Sequence, residues 1–174
     1  MKHPLEFIPQ HLRKPLFYVF LVLTIVIFGV FGALDGPLRT SAAPSGVVSF
    51  ELARDVETAQ AIIDSWNADA RLSAAFGLGL DYLFMPAYAF ALSLGVLLAV
   101  GEKKSWIQSF APLMGWGAFT AAVFDAVENY ALWRLLAGNV VSPYPEVAAL
   151  CATIKFIFLA AGLATIAASR IIRK

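Results

Sequence analysis

The sequence predicts an all-α integral membrane protein, four transmembrane helices in an antiparallel bundle with an extracytoplasmic amphipathic helix between the first and second. Three observations predict it. Of the 174 residues, 60% are hydrophobic and 14% are charged, where a soluble domain carries about 25% charged residues. The apolar residues gather in blocks at 16–34, 78–100, 110–137 and 147–169, each near the roughly 20 residues that a helix needs to cross a bilayer. The basic residues fall on alternate sides of those blocks. Lys2, Arg13 and Lys14 precede the first, Lys103 and Lys104 follow the second, and Arg170, Arg173 and Lys174 follow the fourth. On the other side, Arg39, Arg54 and Arg71 are diluted by Asp35, Glu51, Asp55, Glu57, Asp64 and Asp69, and 138–146 has no Lys or Arg.

By the positive-inside rule both termini are then cytoplasmic. The chain divides into a basic cytoplasmic tail, 1–14, and a single membrane domain, 15–174, with an outer loop at 35–77. Basic flanks and an outer loop without disulfides match a bacterial inner membrane.

The first span begins at Pro15, where a missing N–H costs nothing, and Asp35-Gly36-Pro37 stops it. Its apolar run is longer than the 7–15 residues of a signal-peptide core, so a retained helix is expected. Thr40 to Gly46 is small and turn-rich, a loop. From Val48 to Trp66 apolar residues recur at spacings of three and four, and Glu51, Asp55, Glu57, Asp64 and Asn67 fall elsewhere on the wheel, an amphipathic pattern. Asp55 is the expected N-cap of its second part. Val47 to Leu52 is either its first part or a short extended piece. The apolar face has two homes: the outer headgroup region, with Trp66 as an interface anchor, or the bundle, as a lid. The sequence favours the first.

Asp69 is the expected cap of the second long helix, which Pro86 interrupts; bundles tolerate such a kink. The third span opens near Pro112, and the fourth follows Ser142-Pro143-Tyr144-Pro145. Small residues mark faces able to pack closely in lipid: Ala87, Ala91 and Gly95 in the second span, Ala160, Ala164 and Ala168 in the fourth. In the third, Gly117 and Ala121 share a stripe with Asp125 and Asn129, which puts these polar groups inside the bundle.

Depth follows from the helix rise of about 1.5 Å per residue. Glu128 lies as far below Ala137 as Lys155 lies below Glu146, so both sit near the midplane and a direct ion pair is expected. Asp81 and Arg134 match in the same way nearer the outer boundary; they either pair or Arg134 snorkels to the headgroups. Asp125, one turn deeper than Glu128, has no cation at its depth and takes Asn129 as its expected donor. Asp125 and Glu128 together are expected to carry fewer than two negative charges at neutral pH, since an unpaired carboxylate in lipid costs at least ~2.5 kcal/mol.

Ionisable groups inside a span point to function. The candidate site for a ligand or a proton is therefore Asp125, Glu128, Asn129 and Lys155, with Asp81, Arg134, Tyr82 and Tyr130 as its outer rim and Tyr88 as a further lining residue. A buried pair that only fixes helix register is the structural alternative. The favoured function is binding a small amphiphilic or lipid-like ligand, or handling protons. The alternatives are an accessory or assembly subunit, using the outer loop to bind a membrane protein partner, and a homo-oligomeric transporter or channel. Beyond the lipid bilayer, then, the candidate partners are such a ligand, such a subunit or a second copy of the chain.

Several chemistries are excluded. Cys151 is the only cysteine, which rules out an intrachain disulfide, a cysteine zinc cluster and a CxxC redox pair. His3 and His11 lie in the tail, away from any interhelical haem, and no metal or other cofactor is expected. Ser93 and Thr120 have no histidine partner in the sequence, so no reaction is assigned. A net charge of +1 gives no footprint for nucleic acid.

Overall fold

The computed structural model describes residues 1–100 and 106–172. Lys103, Lys104, Arg173 and Lys174, used above to orient the chain, lie outside the described residues. The elements are α1 (Gln10–Asp35), α2 (Val47–Glu51), α3 (Val56–Ser65), α4 (Ala68–Val100), α5 (Trp106–Leu136) and α6 (Tyr144–Ile172), with one 3-10 turn, Gly36–Leu38, after α1. Four of them, α1, α4, α5 and α6, are long and apolar enough to cross a membrane. Val19, Val22, Ile25 and Phe28 of α1 stand exposed, an apolar surface that water does not favour but lipid does.

The long helices start earlier than the apolar blocks. Pro9, not Pro15, precedes α1, and Pro15 and Pro112 lie inside their helices. Asn67, not Asp69, caps α4, its side chain accepting from the Ala70 N–H at 2.9 Å. Asp55 caps α3 as its sequence position predicts, accepting from the Thr58 N–H at 2.7 Å and the Thr58 hydroxyl at 3.0 Å; these bonds hold its carboxyl below the usual range.

The helices pack in the order α1 on α4, α4 on α5 and α5 on α6, with α4 also touching α6. On α4 the expected stripe of Ala87, Ala91 and Gly95 is buried, as are Gly117, Ala121 and Asp125 on α5. On α6 the expected stripe holds only at Ala168, which packs against Val96, Val100 and Ala111; Ala160 and Ala164 are exposed, and the buried line is Ala148, Ala152, Lys155 and Gly162. Gly162 lets Leu92 of α4 approach closely. Lys155 sets this face, because its ammonium must point at the acids of α5.

The amphipathic segment is helical throughout but broken at 52–55 into α2 and α3. It does not lie apart with its apolar face in the headgroups. Phe50, Ile62, Ile63 and Trp66 are buried with Ala70, Ala74 and Leu78 of α4, Leu132 and Leu135 of α5 and Ala148 of α6. Each such large side chain contributes about 1.5–3 kcal/mol of burial against water, enough to hold the segment as a cap on that end of the helices. Trp66 is no interface anchor: it is 2% exposed, stacks edge-on against Phe50 and donates its indole N–H to the Leu38 carbonyl at 2.8 Å.

The N-terminal segment is not a free tail. Leu5 and Ile8 are buried against Leu94 of α4. Arg13, expected as a basic flank, donates to the carbonyls of Ile8 and Glu6 at 2.8 Å each. His3 is buried, with its ring over Gly115 of α5 and near the Ser93 backbone of α4, so the separation of Ser93 from any histidine expected from sequence does not hold in space. Burial pushes the His3 imidazole down to about 4, with Arg13 adding to the effect and Glu6 opposing it.

A histidine held neutral in the fold destabilises it once the unfolded chain can gain a proton that the folded chain resists. Stability from this site is therefore full above pH 6.5 and lost as pH falls towards 4. His3→Leu should remove that slope from the thermal-midpoint profile; parallel profiles for wild type and variant would show that the segment does not hold its histidine neutral. A Cβ on Gly115 would overlap the His3 ring, so Gly115→Ala should undock the segment and melt close to a variant lacking residues 1–8. An unchanged midpoint would place His3 elsewhere.

Candidate functional site

The buried polar groups come from four elements. From α6, Lys155 donates to Asp125 at 3.0 Å and to Glu128 at 2.9 Å, both on α5. The pairing of Glu128 with Lys155 is thus the one that equal depth predicts. Asp125 does not stand apart as expected: it shares the same ammonium and accepts a second hydrogen bond, at 2.9 Å, from the Tyr88 hydroxyl of α4. One turn of helix separates Asp125 from Glu128, and a single flexible lysine at the level between them reaches both.

Asn129 does not donate to Asp125. Its amide donates to the Asp81 carboxylate at 2.7 Å and to the Leu78 carbonyl at 3.3 Å, both on α4. Of the two arrangements open for Arg134, the pair with Asp81 is therefore not made. Arg134 donates to the Tyr130 hydroxyl at 3.1 Å and lies over the Tyr144 ring at 5.2 Å. Equal depth fixes height but not direction around the helix axis, and Arg134 meets Tyr130 of its own helix and Tyr144 of α6 instead. Tyr82 and Tyr130 do not rim the site either; they are half exposed and line a separate apolar groove between α4 and α5.

Sequence reasoning missed one member. Glu51, the last residue of α2, turns inward from the cap and brings its carboxyl to 3.9 Å from the Lys155 ammonium. Its side chain is 14% exposed, and its Oε2 atom is buried without a hydrogen-bond partner. Burial pushes this carboxyl up to about 6, against the pull of Lys155. The signal available was Asp55, whose place as an N-cap starts a new helix there, so that α2 turns independently of α3.

Beside these groups lies a cavity of about 280 Å³. One side is polar, with Glu51, Asp81, Asp125, Asn129, Tyr88 and Lys155; the other is apolar, with Phe28, Phe31, Phe84, Phe156 and Leu159. The apolar wall comes from α1 on one flank, Phe84 of α4, and α6 on the other; α1 rests on α4, and α6 rests chiefly on α5. Asp35 also lines the cavity but is already engaged, by Arg39 at 2.8 Å and the Val47 N–H at 2.9 Å. Glu128 lies behind Lys155 and does not line it.

The arrangement can hold a molecule with one polar and one apolar end, and its acids and hydroxyl can exchange protons with such a molecule. No family model, curated protein or solved structure matches the chain.

Proposed function

We propose that the chain is a multi-pass membrane protein, a four-helix antiparallel bundle, that binds a small amphiphilic or lipid-like ligand in this cavity. The carrying observation is the placement of the buried ion cluster at one end of a cavity whose other walls are aromatic and aliphatic. A pair retained only for helix register needs no space beside it. Here Asp125 and Lys155 form the inner end of the site, Asn129 holds Asp81 at its side, and Glu128 fixes the lysine from behind. In the positive-inside orientation the cap faces the extracytoplasmic side of a bacterial inner membrane, with the N- and C-termini cytoplasmic. The ligand reaches the site from the bilayer between α1 and α6, with its apolar end left between Phe31 and Phe156.

The cap supports this reading over that of an assembly subunit. Its apolar face is used on its own bundle, and Glu57, Thr58 and Asp64 are left facing out. Gly77 supplies the test. It lines the cavity, and a Cβ there meets nothing within 4 Å, so Gly77→Phe starts its side chain in open space beside the cavity and should fill it. Wild type purified in a mild detergent should yield a bound amphiphile on organic extraction and mass spectrometry. Gly77→Phe should melt no lower and yield none. Equal amounts from both proteins would rule the cavity out as the binding place.

A further inference from the structure

The cavity's charge is unbalanced. Lys155 is the only basic residue among the described residues that line it, and both hydrogen bonds of its ammonium in the structure go to Asp125 and Glu128. Two more carboxyl groups face the same space. Glu51 has a buried oxygen with no hydrogen-bond partner, reached only at 3.9 Å by the Lys155 ammonium already bonded to two other acids, and Asp81 is met by a neutral amide, that of Asn129. A carboxylate removed from water and left without a cation is expensive, and it either takes a proton or is neutralised by a counter-charge. Beside these acids stand Phe31 and Phe84, aromatic rings of the kind that attract cations; the Phe156 ring already lies against the Lys155 ammonium at 4.9 Å.

Resting on the amphiphile reading above, we infer that the natural ligand is an amine: an ammonium head received between Glu51 and Asp81, with an apolar tail against the phenylalanine wall. The head group brings the cation that the chain itself lacks. Lys155 also lines the cavity, 3.9 Å from Glu51, but its ammonium is bonded by Asp125 and Glu128, whose charge screens it from a second ammonium. Glu51 belongs to the cap and Asp81 to α4, so an ammonium between them also ties the cap to the bundle.

The test uses three water-soluble probes with one tail: 4-phenylbutylamine, 4-phenylbutanol and 4-phenylbutyrate. Their affinities are measured by calorimetry on the full chain in a neutral maltoside detergent at pH 7.5. The amine should bind about tenfold or more tighter than the alcohol, the equivalent of one charge-assisted hydrogen bond, and the acid weakest. Glu51→Gln and Asp81→Asn should each remove the preference for the amine and leave the alcohol's affinity unchanged, which also shows that the variants are folded.

Equal binding of amine and alcohol would overturn the amine assignment while the amphiphile cavity stands, its acids being protonated. Tightest binding of the acid would overturn it in favour of head-group recognition by Lys155. Binding of the amine that both variants and Gly77→Phe retain would place it outside the cavity and overturn the assignment. Absence of binding by all three would remove the amine class and, with a negative extraction, the cavity reading itself.

Discussion

Lys155→Met should lower the stability of the detergent-solubilised protein more than any other single change considered for it, by about 3–5 kcal/mol, the usual loss when one partner of a buried ion pair is removed. The variant leaves Asp125 and Glu128, 2% and 0% exposed, facing each other without the ammonium that now bonds both. Met keeps most of the packing of the lysine stem, so the change is chiefly one of charge. Cys151, the only cysteine and buried one turn before Lys155, is a built-in reporter: a thiol-reactive fluorophore labels it as the helices separate. Glu128→Gln alone should cost less, because Asp125 still faces the lysine.

The combination Lys155→Met, Asp125→Asn, Glu128→Gln should recover much of the loss, since neither of the two acids bonded to the lysine is left charged and an acceptor remains for the Tyr88 hydroxyl. If Lys155→Met instead melts like wild type, the two acids absorb the loss by taking up protons. The cluster is then maintained for what it binds and not for stability.

Gly46→Ala should be the most damaging change in the cap. Gly46 has φ +58° and ψ −130°, backbone space that L residues enter only with strain of about 1–3 kcal/mol. A Cβ there would also overlap the Asp35 carboxylate. That carboxylate accepts from the Val47 N–H at the start of α2 and from Arg39, so its displacement frees the start of α2 and, with it, Glu51. Trypsin accessibility at Arg54 measures the effect: cleavage in the native protein should be much faster in Gly46→Ala than in wild type. Asp35→Asn keeps the turn conformation and should loosen α2 less. Unchanged cleavage in Gly46→Ala would mean that the cap is held by its apolar face alone.

What the sequence revealed and what it hid divide along one physical line. Within a helix, rise and period are fixed, so the buried stripe of α5 and the equal depth of Glu128 and Lys155 could be read directly. Between helices, rotation about each axis is set by packing, which no count along the chain supplies. Hence Asp81 meets Asn129 and not Arg134, and the small residues at Ala160 and Ala164 face out although their spacing suits a helix contact. Glu51 was hidden for a related reason. On a single wheel running from Val48 to Trp66 it belongs to the polar side, but the break at 52–55 gives α2 its own axis and turns Glu51 towards Lys155. Trp66 misled because an aromatic with one polar atom suits a membrane boundary and a buried contact equally; the free Leu38 carbonyl decided it.

The shared lysine bears on how the chain is made. A charged side chain at the centre of a lone helix costs about 2.5–3.5 kcal/mol on insertion, and α5 carries two acids while α6 carries the lysine. Only a short turn separates the two helices. Entering the bilayer together as a hairpin, they cancel most of their charge before either meets lipid; entering singly, each bears its full penalty. For α5 and α6, the ion cluster therefore favours biogenesis by pairs, and ribosome-bound intermediates that end before Lys155 should hold α5 outside the hydrocarbon core until its partner emerges.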